Sequence, residues 1–315
     1  MTSLSKLSLT GKPRPVPARL AGLGAAVCLL VASGGTWADD VVGDLRVYAA
    51  THEDTLLDIA RDNQLGFIEV MAANPGVDAW LPGSGTRVIL PTAHVLPDAP
   101  RTGIVINLAE LRLYYFGRGD APVVTLPIGV GREGFQTPVG TTKVVRKQAG
   151  PTWRPTAATR ADDPQLPAVV PPGPDNPLGK FALYLGWPAY LIHGTAEGAK
   201  EWGIGRRVSR GCIRMYPEAI EWLFNRVPVG TQVRTVQEMV KLGRRDGDLY
   251  MEVNPSYTQV DQIEERGFAD PEPVPEQIDP DRILLAADQD IGRLDWDAVA
   301  WALNQRDGMP VRITR

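Results

Sequence analysis

Eight prolines, at positions 151, 155, 164, 167, 171, 172, 174 and 177, crowd the stretch between Gly150 and Leu178. Proline fixes φ at about −65° and offers no amide hydrogen, so this stretch cannot run as a regular helix or join most sheet pairings. A long loop is the remaining option. Loops of such length in compact domains are functional or disordered, and Trp153, Leu166, Val169 and Val170 supply apolar contacts that favour an ordered one. The rest of the fold has to carry this loop.

The flanks read as strands. Residues 103–107, 111–116, 123–128 and 141–145 precede the loop, separated by short polar or glycine-bearing turns, and residues 181–185 and 190–192 follow it. Pro217 can open a helix whose apolar face is Ala219, Ile220, Leu223 and Phe224, and residues 230–236 give a closing strand. Upstream, residues 44–91 read as strand, helix, helix, strand. Downstream, residues 237–315 hold a strand near Leu249, an acidic proline-bearing link from Asp270 and a helix from about Asp295 to Gln305. The expected protein is multidomain α+β: a small βααβ domain over 44–91, a mostly antiparallel β-sheet domain with a helix over 101–236, and a C-terminal α+β extension over 237–315.

Residues 1–38 carry Lys6, Lys12, Arg14 and Arg19 and no acid, then an apolar run from Leu20 to Ala32, then Thr36-Trp37-Ala38 before Asp39. That order reads as a secretory signal peptide, too short in its apolar part for the ~20 residues of a spanning helix. An uncleaved membrane anchor is the competing reading. Removing the leader takes four of 33 basic residues and none of 37 acids, leaving a formal charge of −8, which argues against nucleic acid as a partner.

The leader also takes Cys28, so Cys212 is left as the lone thiol of a chain expected in an oxidising compartment. Such a thiol is either a buried apolar group or a reactive one, and its neighbours favour the second. Ile192-His193-Gly194-Thr195 and Ser209-Arg210-Gly211-Cys212-Ile213-Arg214 put one imidazole and one thiol beside glycines. An imidazole can accept the proton of a thiol that is mostly protonated at neutral pH. Gly211 permits a close backbone approach, so the amides of Gly211 and Cys212 could face a developing oxyanion. Arg210 and Arg214 would favour the thiolate or bind a substrate carboxylate. His52 and His94 lack nearby ligands at metal spacing and read as solvated surface residues. No metal or other cofactor is expected.

At these residues the chain resembles the L,D-transpeptidase (YkuD-domain) family, with Arg210 where many members carry a second histidine. The segments Met71 to Asp78, Gly103 to Asn107, Ala149 to Thr156, Leu166 to Leu178 and Gly308 to Arg312 are similar to the Gram-negative subgroup that attaches Braun-type lipoprotein to peptidoglycan. Residues 54–60, 71–78 and 81–91 resemble the LysM module, which implies binding to the N-acetylglucosamine-containing glycan. The family resemblance implies a YkuD-like β-sandwich, His193 as general base with the Gly194 carbonyl orienting it, and Cys212 as the acylated nucleophile. Thr195, Ser209, Arg210, Arg214 and Tyr190 are further substrate-binding candidates. The implied reaction forms a thioester at the L-centre of meso-diaminopimelate in a tetrapeptide stem and expels D-alanine. The acceptor amine is either a lipoprotein lysine, tethering the outer membrane, or a second diaminopimelate, giving a 3-3 cross-link; water would make a carboxypeptidase. A cysteine endopeptidase of the NlpC/P60 type has its cysteine before its histidine, the reverse of the order here. A non-catalytic wall-binding protein would have no need of the free thiol. All of this places the protein in the periplasm, and N-terminal sequencing of the exported chain is expected to start at Asp39.

Overall fold

The computed structural model describes residues 39–119, 121–196, 203–274 and 279–315. The expected leader and Cys28 lie outside them. Residues from Asp39 to Arg315 form one compact unit, and no helix among the described residues is long and apolar enough to cross a membrane.

The first segment holds β1 (Val41–Val42), β2 (Arg46–Ala49), α1 (Leu56–Asp62), α2 (Phe67–Ala73), β3 (Arg87–Leu90) and β4 (His94–Val95). Strands β2 and β3 pair antiparallel around the two helices, the expected βααβ order. Thr55 starts α1 because its hydroxyl accepts the Asp58 amide while the Asp58 carboxylate takes the Thr55 amide, a reciprocal cap.

The central segment contains β5 (Gly103–Asn107), β6 (Arg112–Phe116), β7 (Val124–Pro127), β8 (Val130–Gly131), β9 (Gly140–Ala149), α3 (Ala157–Asp162), β10 (Phe181–Leu185), β11 (Leu191–His193), β12 (Arg207–Ser209), β13 (Ile213–Arg214), α4 (Pro217–Arg226) and β14 (Gln232–Val236). Eight of these strands make one sheet in the order β13-β11-β10-β9-β14-β5-β6-β7. This differs from the expected sandwich of two stacked sheets. The sheet is mixed, since β14 runs parallel to β5 and β11 parallel to β13, and a separate two-stranded pair joins β8 to β12. Its core packs Ile104, Leu113, Leu183, Ile192 and Ile213 against Ala219, Ile220 and Leu223 of α4. Pro217 occupies the first turn of that helix, where no amide donor is needed.

Two local expectations change. Strand β9 runs on to Ala149 despite its polar residues, because β14 and β10 both pair with it. The proline-rich stretch contains the six-residue helix α3 between Pro155 and Pro164, started by Thr156, whose hydroxyl accepts the Thr159 amide. Outside that helix it is an ordered loop, bridged by Trp153 to Val170 and pinned by Asn176, which donates to the carbonyls of Pro151, Val170 and Pro171.

The C-terminal segment consists of β15 (Val240–Arg245), β16 (Asp248–Val253), α5 (Tyr257–Arg266), α6 (Pro280–Ala287), a 3-10 turn (Asp288–Arg293), α7 (Trp296–Gln305) and β17 (Val311–Arg312). It is not a separate appendage. Val260 and Ile263 of α5 complete the core of the βααβ segment with Leu56, Phe67 and Val88.

A buried ionic cluster joins all three segments. The Lys241 ammonium on β15 donates to Glu110 in the β5–β6 turn, to Glu252 on β16 at 2.8 Å, to the Tyr114 hydroxyl at 3.1 Å and to the Val95 carbonyl at 2.6 Å. Beside it Arg112 on β6 holds Glu69 of α2 at 2.9 Å. His94 lies in this cluster and is 2% exposed, so its assignment to the solvated surface is wrong. The fold brings it to Glu110 and Glu252, all three offering ligand atoms within 4.8 Å of one another. Lys241 sits between the two carboxyl groups, while burial, with Arg112 and Lys241 nearby, pushes His94 well below the ordinary imidazole range and keeps it uncharged.

Three carboxyl groups thus face two cations in a buried junction. Burial, with Glu110 adding to it and Lys241 opposing it, pushes the Glu252 carboxyl up to about 8. The folded chain therefore keeps a proton that the unfolded chain, with an ordinary value of 4.5, has lost. Stability from this group is fully present below the unfolded value and is lost as pH rises through about 8. Because the neutral His94 and His193 pull the other way below about pH 6.5, the group is read by difference: the Tm advantage of wild type over Glu252→Gln is expected to shrink as pH rises from 5 to 8.

Candidate active site

Alternation along two short parallel strands builds the site. Ile192 of β11 lies opposite Ile213 of β13, and His193 opposite Arg214. Both isoleucines are fully buried, so their neighbours turn to the other face of the sheet. His193 and Arg214 share that face, and so does Cys212, two residues before Arg214. They line a single cleft of about 840 Å³, walled on one side by the proline-rich loop from Thr152 to Thr159 and by Pro177 and Leu178.

His193 is buried, and its Nδ1 lies 2.7 Å from the Gly194 carbonyl. Only a protonated Nδ1 can donate there, which leaves Nε2 as the basic nitrogen. Burial, reinforced by the Arg214 charge and opposed by the Gly194 hydrogen bond, pushes the imidazole down to about 4. Burial also pushes the Cys212 thiol up, against the opposing pull of a Leu191 backbone hydrogen bond and of Arg214. Base and thiol therefore rest uncharged at neutral pH. The expected thiolate bias from two flanking arginines is outweighed by desolvation.

Arg210 lines the cleft but has partners of its own. It forms an ion pair with Asp162 at the end of α3 and lies 4.8 Å over the Phe135 ring, tying the loop to the wall of the cleft. Ser209 is buried and closes the turn before the cysteine: its hydroxyl donates to the Cys212 carbonyl at 2.6 Å and accepts the Gly211 amide at 3.0 Å. Gly211 is required for a different reason than the one expected. Its φ is +101°, and a Cβ there would stand 2.7 Å from the Tyr190 ring. Its amide is engaged by Ser209, so it is not directed at a developing oxyanion. Thr137 fixes the same turn by donating to the Gly211 carbonyl at 2.8 Å.

Gly194 packs under α4, where a Cβ would meet Ile220 at 3.1 Å. The Thr195 hydroxyl is buried without a hydrogen-bond partner among the described residues. Tyr190 packs edge-on against Trp187 and lines the cleft beside the thiol. The sequence did not single out Ala189, whose carbonyl lies 3.5 Å from the Cys212 sulfur and whose φ of +68° holds it there. Nor did it single out Arg132, Arg146 and Arg154, which join Arg210 and Arg214 around the cleft. No carboxylate appears among the described residues lining it.

One thiol, one neutral imidazole and a cationic, partly roofed cleft are the parts of a cysteine acyltransferase. Residues 101–235, which include both groups, match the L,D-transpeptidase catalytic domain. The chain is 46% identical over 263 residues to the probable L,D-transpeptidase YbiS of Escherichia coli K12, covering 81% of each chain. It is 42% identical to the probable L,D-transpeptidase ErfK/SrfK of Salmonella typhimurium LT2 over 79% of each, and 37% identical to the probable L,D-transpeptidase YcfS of Escherichia coli K12 over 92% of each. The chain belongs to the L,D-transpeptidase family, enzymes that act on peptidoglycan.

The neutral resting state of the pair can be read directly. Iodoacetamide alkylation of Cys212 is expected to rise about tenfold per pH unit between pH 6 and 8, following thiolate fraction. A plateau of fast alkylation extending down to pH 5 would instead reveal a thiolate–imidazolium pair.

Proposed function

We propose that Cys212 attacks the carbonyl at the L-centre of meso-diaminopimelate in a tetrapeptide stem and forms a thioester. His193 Nε2 takes the thiol proton as the carbon–sulfur bond forms, then gives it to the departing amine as the bond to D-alanine breaks. An acceptor amine attacks the thioester, His193 takes its proton, and the thiol is regenerated when the imidazolium returns it. The observation that carries this reading is the placement of the Cys212 thiol and a neutral imidazole in one cleft, on one face of the sheet. The Gly194 carbonyl would hold the productive tautomer. The Cys212 amide would face the oxyanion, since the Gly211 amide is engaged elsewhere.

The acceptor in this reading is the lysine of a Braun-type lipoprotein, and the second reading is the diaminopimelate of another stem. The βααβ segment over 44–91 would serve as a LysM-like glycan anchor for the catalytic domain over 101–236, with residues 237–315 bracing both. Export by the N-terminal leader would place the enzyme in the periplasm, where its substrate lies. Comparing lipoprotein-bound muropeptides with 3-3 dimers in cells lacking the protein separates the two acceptors.

Purified protein incubated with disaccharide-tetrapeptide is expected to release D-alanine and to show a thioester adduct by intact-protein mass spectrometry. Cys212→Ala should give neither product, and His193→Ala should lower kcat by about 10²–10⁴-fold. Wild-type protein that yields neither D-alanine nor adduct would sink the proposal.

A further inference from the structure

The eight-stranded sheet extends the catalytic face beyond β11. Leu191 lies opposite Tyr184 on β10, and Tyr184 opposite Arg146 on β9. Residues opposite one another point to the same face, and Leu191 points the same way as His193 two positions on. Arg146 therefore stands on the catalytic face two strands from the histidine, about 10 Å across the sheet at ~4.8 Å per strand. Its guanidinium lies 3.4 Å over the Tyr184 ring, and its Nη1 donates to Gln148 at 2.5 Å. Stacking and one side-chain hydrogen bond fix the plane of the group and leave donors free toward the cleft. Arg154 reaches the same cleft from the proline-rich loop. Neither arginine has an ion-pair partner among the described residues, whereas Arg210 in the same cleft is paired with Asp162.

A stacked guanidinium on the catalytic face, joined by a second from the loop in the same cleft as the thiol, calls for an anion carried by the substrate. The donor stem supplies one at a matching place. When the L-centre carbonyl of diaminopimelate is at Cys212, its side chain runs outward and ends in a second carboxylate, at the D-centre. The geometry points to a carboxylate subsite formed by Arg146 and Arg154 that reads this D-centre carboxylate and so selects free-acid diaminopimelate over its amide or over lysine. This subsite rests on the donor reaction proposed above. Bidentate recognition by arginine suits it, because a carboxylate accepts two parallel hydrogen bonds that a primary amide cannot.

The test compares D-alanine release from two disaccharide-tetrapeptides that differ only in whether the D-centre carboxylate is free or amidated. Wild-type enzyme is expected to prefer the free acid by at least about tenfold in kcat/KM. Arg146→Gln and Arg154→Gln should raise KM for the free acid, leave the amide nearly unchanged and bring the ratio toward one. Arg146→Lys should restore part of the preference, with thermal melts confirming that each variant folds. Equal use of both substrates by the wild type, or an equal loss on both in Arg146→Gln, overturns the subsite while leaving the reaction standing. Absence of D-alanine release from either substrate counts against the reaction itself. Calorimetry with the Cys212→Ala protein then still decides the subsite: at least tenfold tighter binding of the free acid supports it, and equal binding overturns it.

Discussion

Parallel pairing of β11 with β13 is the constraint on which the site depends. Its register sets Ile192 against Ile213 in the core, and the alternation of strand side chains then leaves His193, Cys212 and Arg214 no face but the cleft. A slip of one residue would turn the histidine into the apolar core and an isoleucine into the cleft. The turn from Ser209 to Cys212 protects that register. Ser209 closes it from both sides, Thr137 holds the Gly211 carbonyl, and the Tyr190 ring leaves room for no side chain at Gly211.

Burial is what makes the thiol and imidazole suited to acyl transfer from a neutral start. Desolvation disfavours the charged form of each, lowering one and raising the other, so charge separation is deferred to the moment of attack. Arg214 acts against that trend at the thiol and with it at the imidazole. An arginine-lined cleft then supplies a positive field around both groups.

The meeting of His193 and Cys212 in one cleft was legible in the sequence because its signals are local. A histidine and a cysteine, each next to isoleucine and glycine, carry their own strand alternation, and the proline spacing announces the loop that walls them. What depends on distant pairing was not legible. Arg146 is one of several polar residues on β9 until the register with Tyr184 and Leu191 places it on the catalytic face. His94 looks solvated because its partners, Glu110 and Glu252, are remote in sequence. The Gly211 amide was misassigned because nothing in Ser-Arg-Gly-Cys shows that the serine hydroxyl turns back onto it. Polar character hid the second half of β9, and helix α3 fits in a gap between prolines that composition alone treats as loop.

The cluster around Lys241 has a consequence for how such a chain can change over time. Its ammonium comes from the C-terminal segment, Glu110 from the central sheet, and the neighbouring Glu69 from the first. Exchange of any one segment for that of an unrelated protein would strand charges in the other two, and a stranded buried charge is among the costliest defects a core can carry. The three parts are in this sense one unit: losing any one of these charges leaves a buried partner that only a matching change in another segment can satisfy.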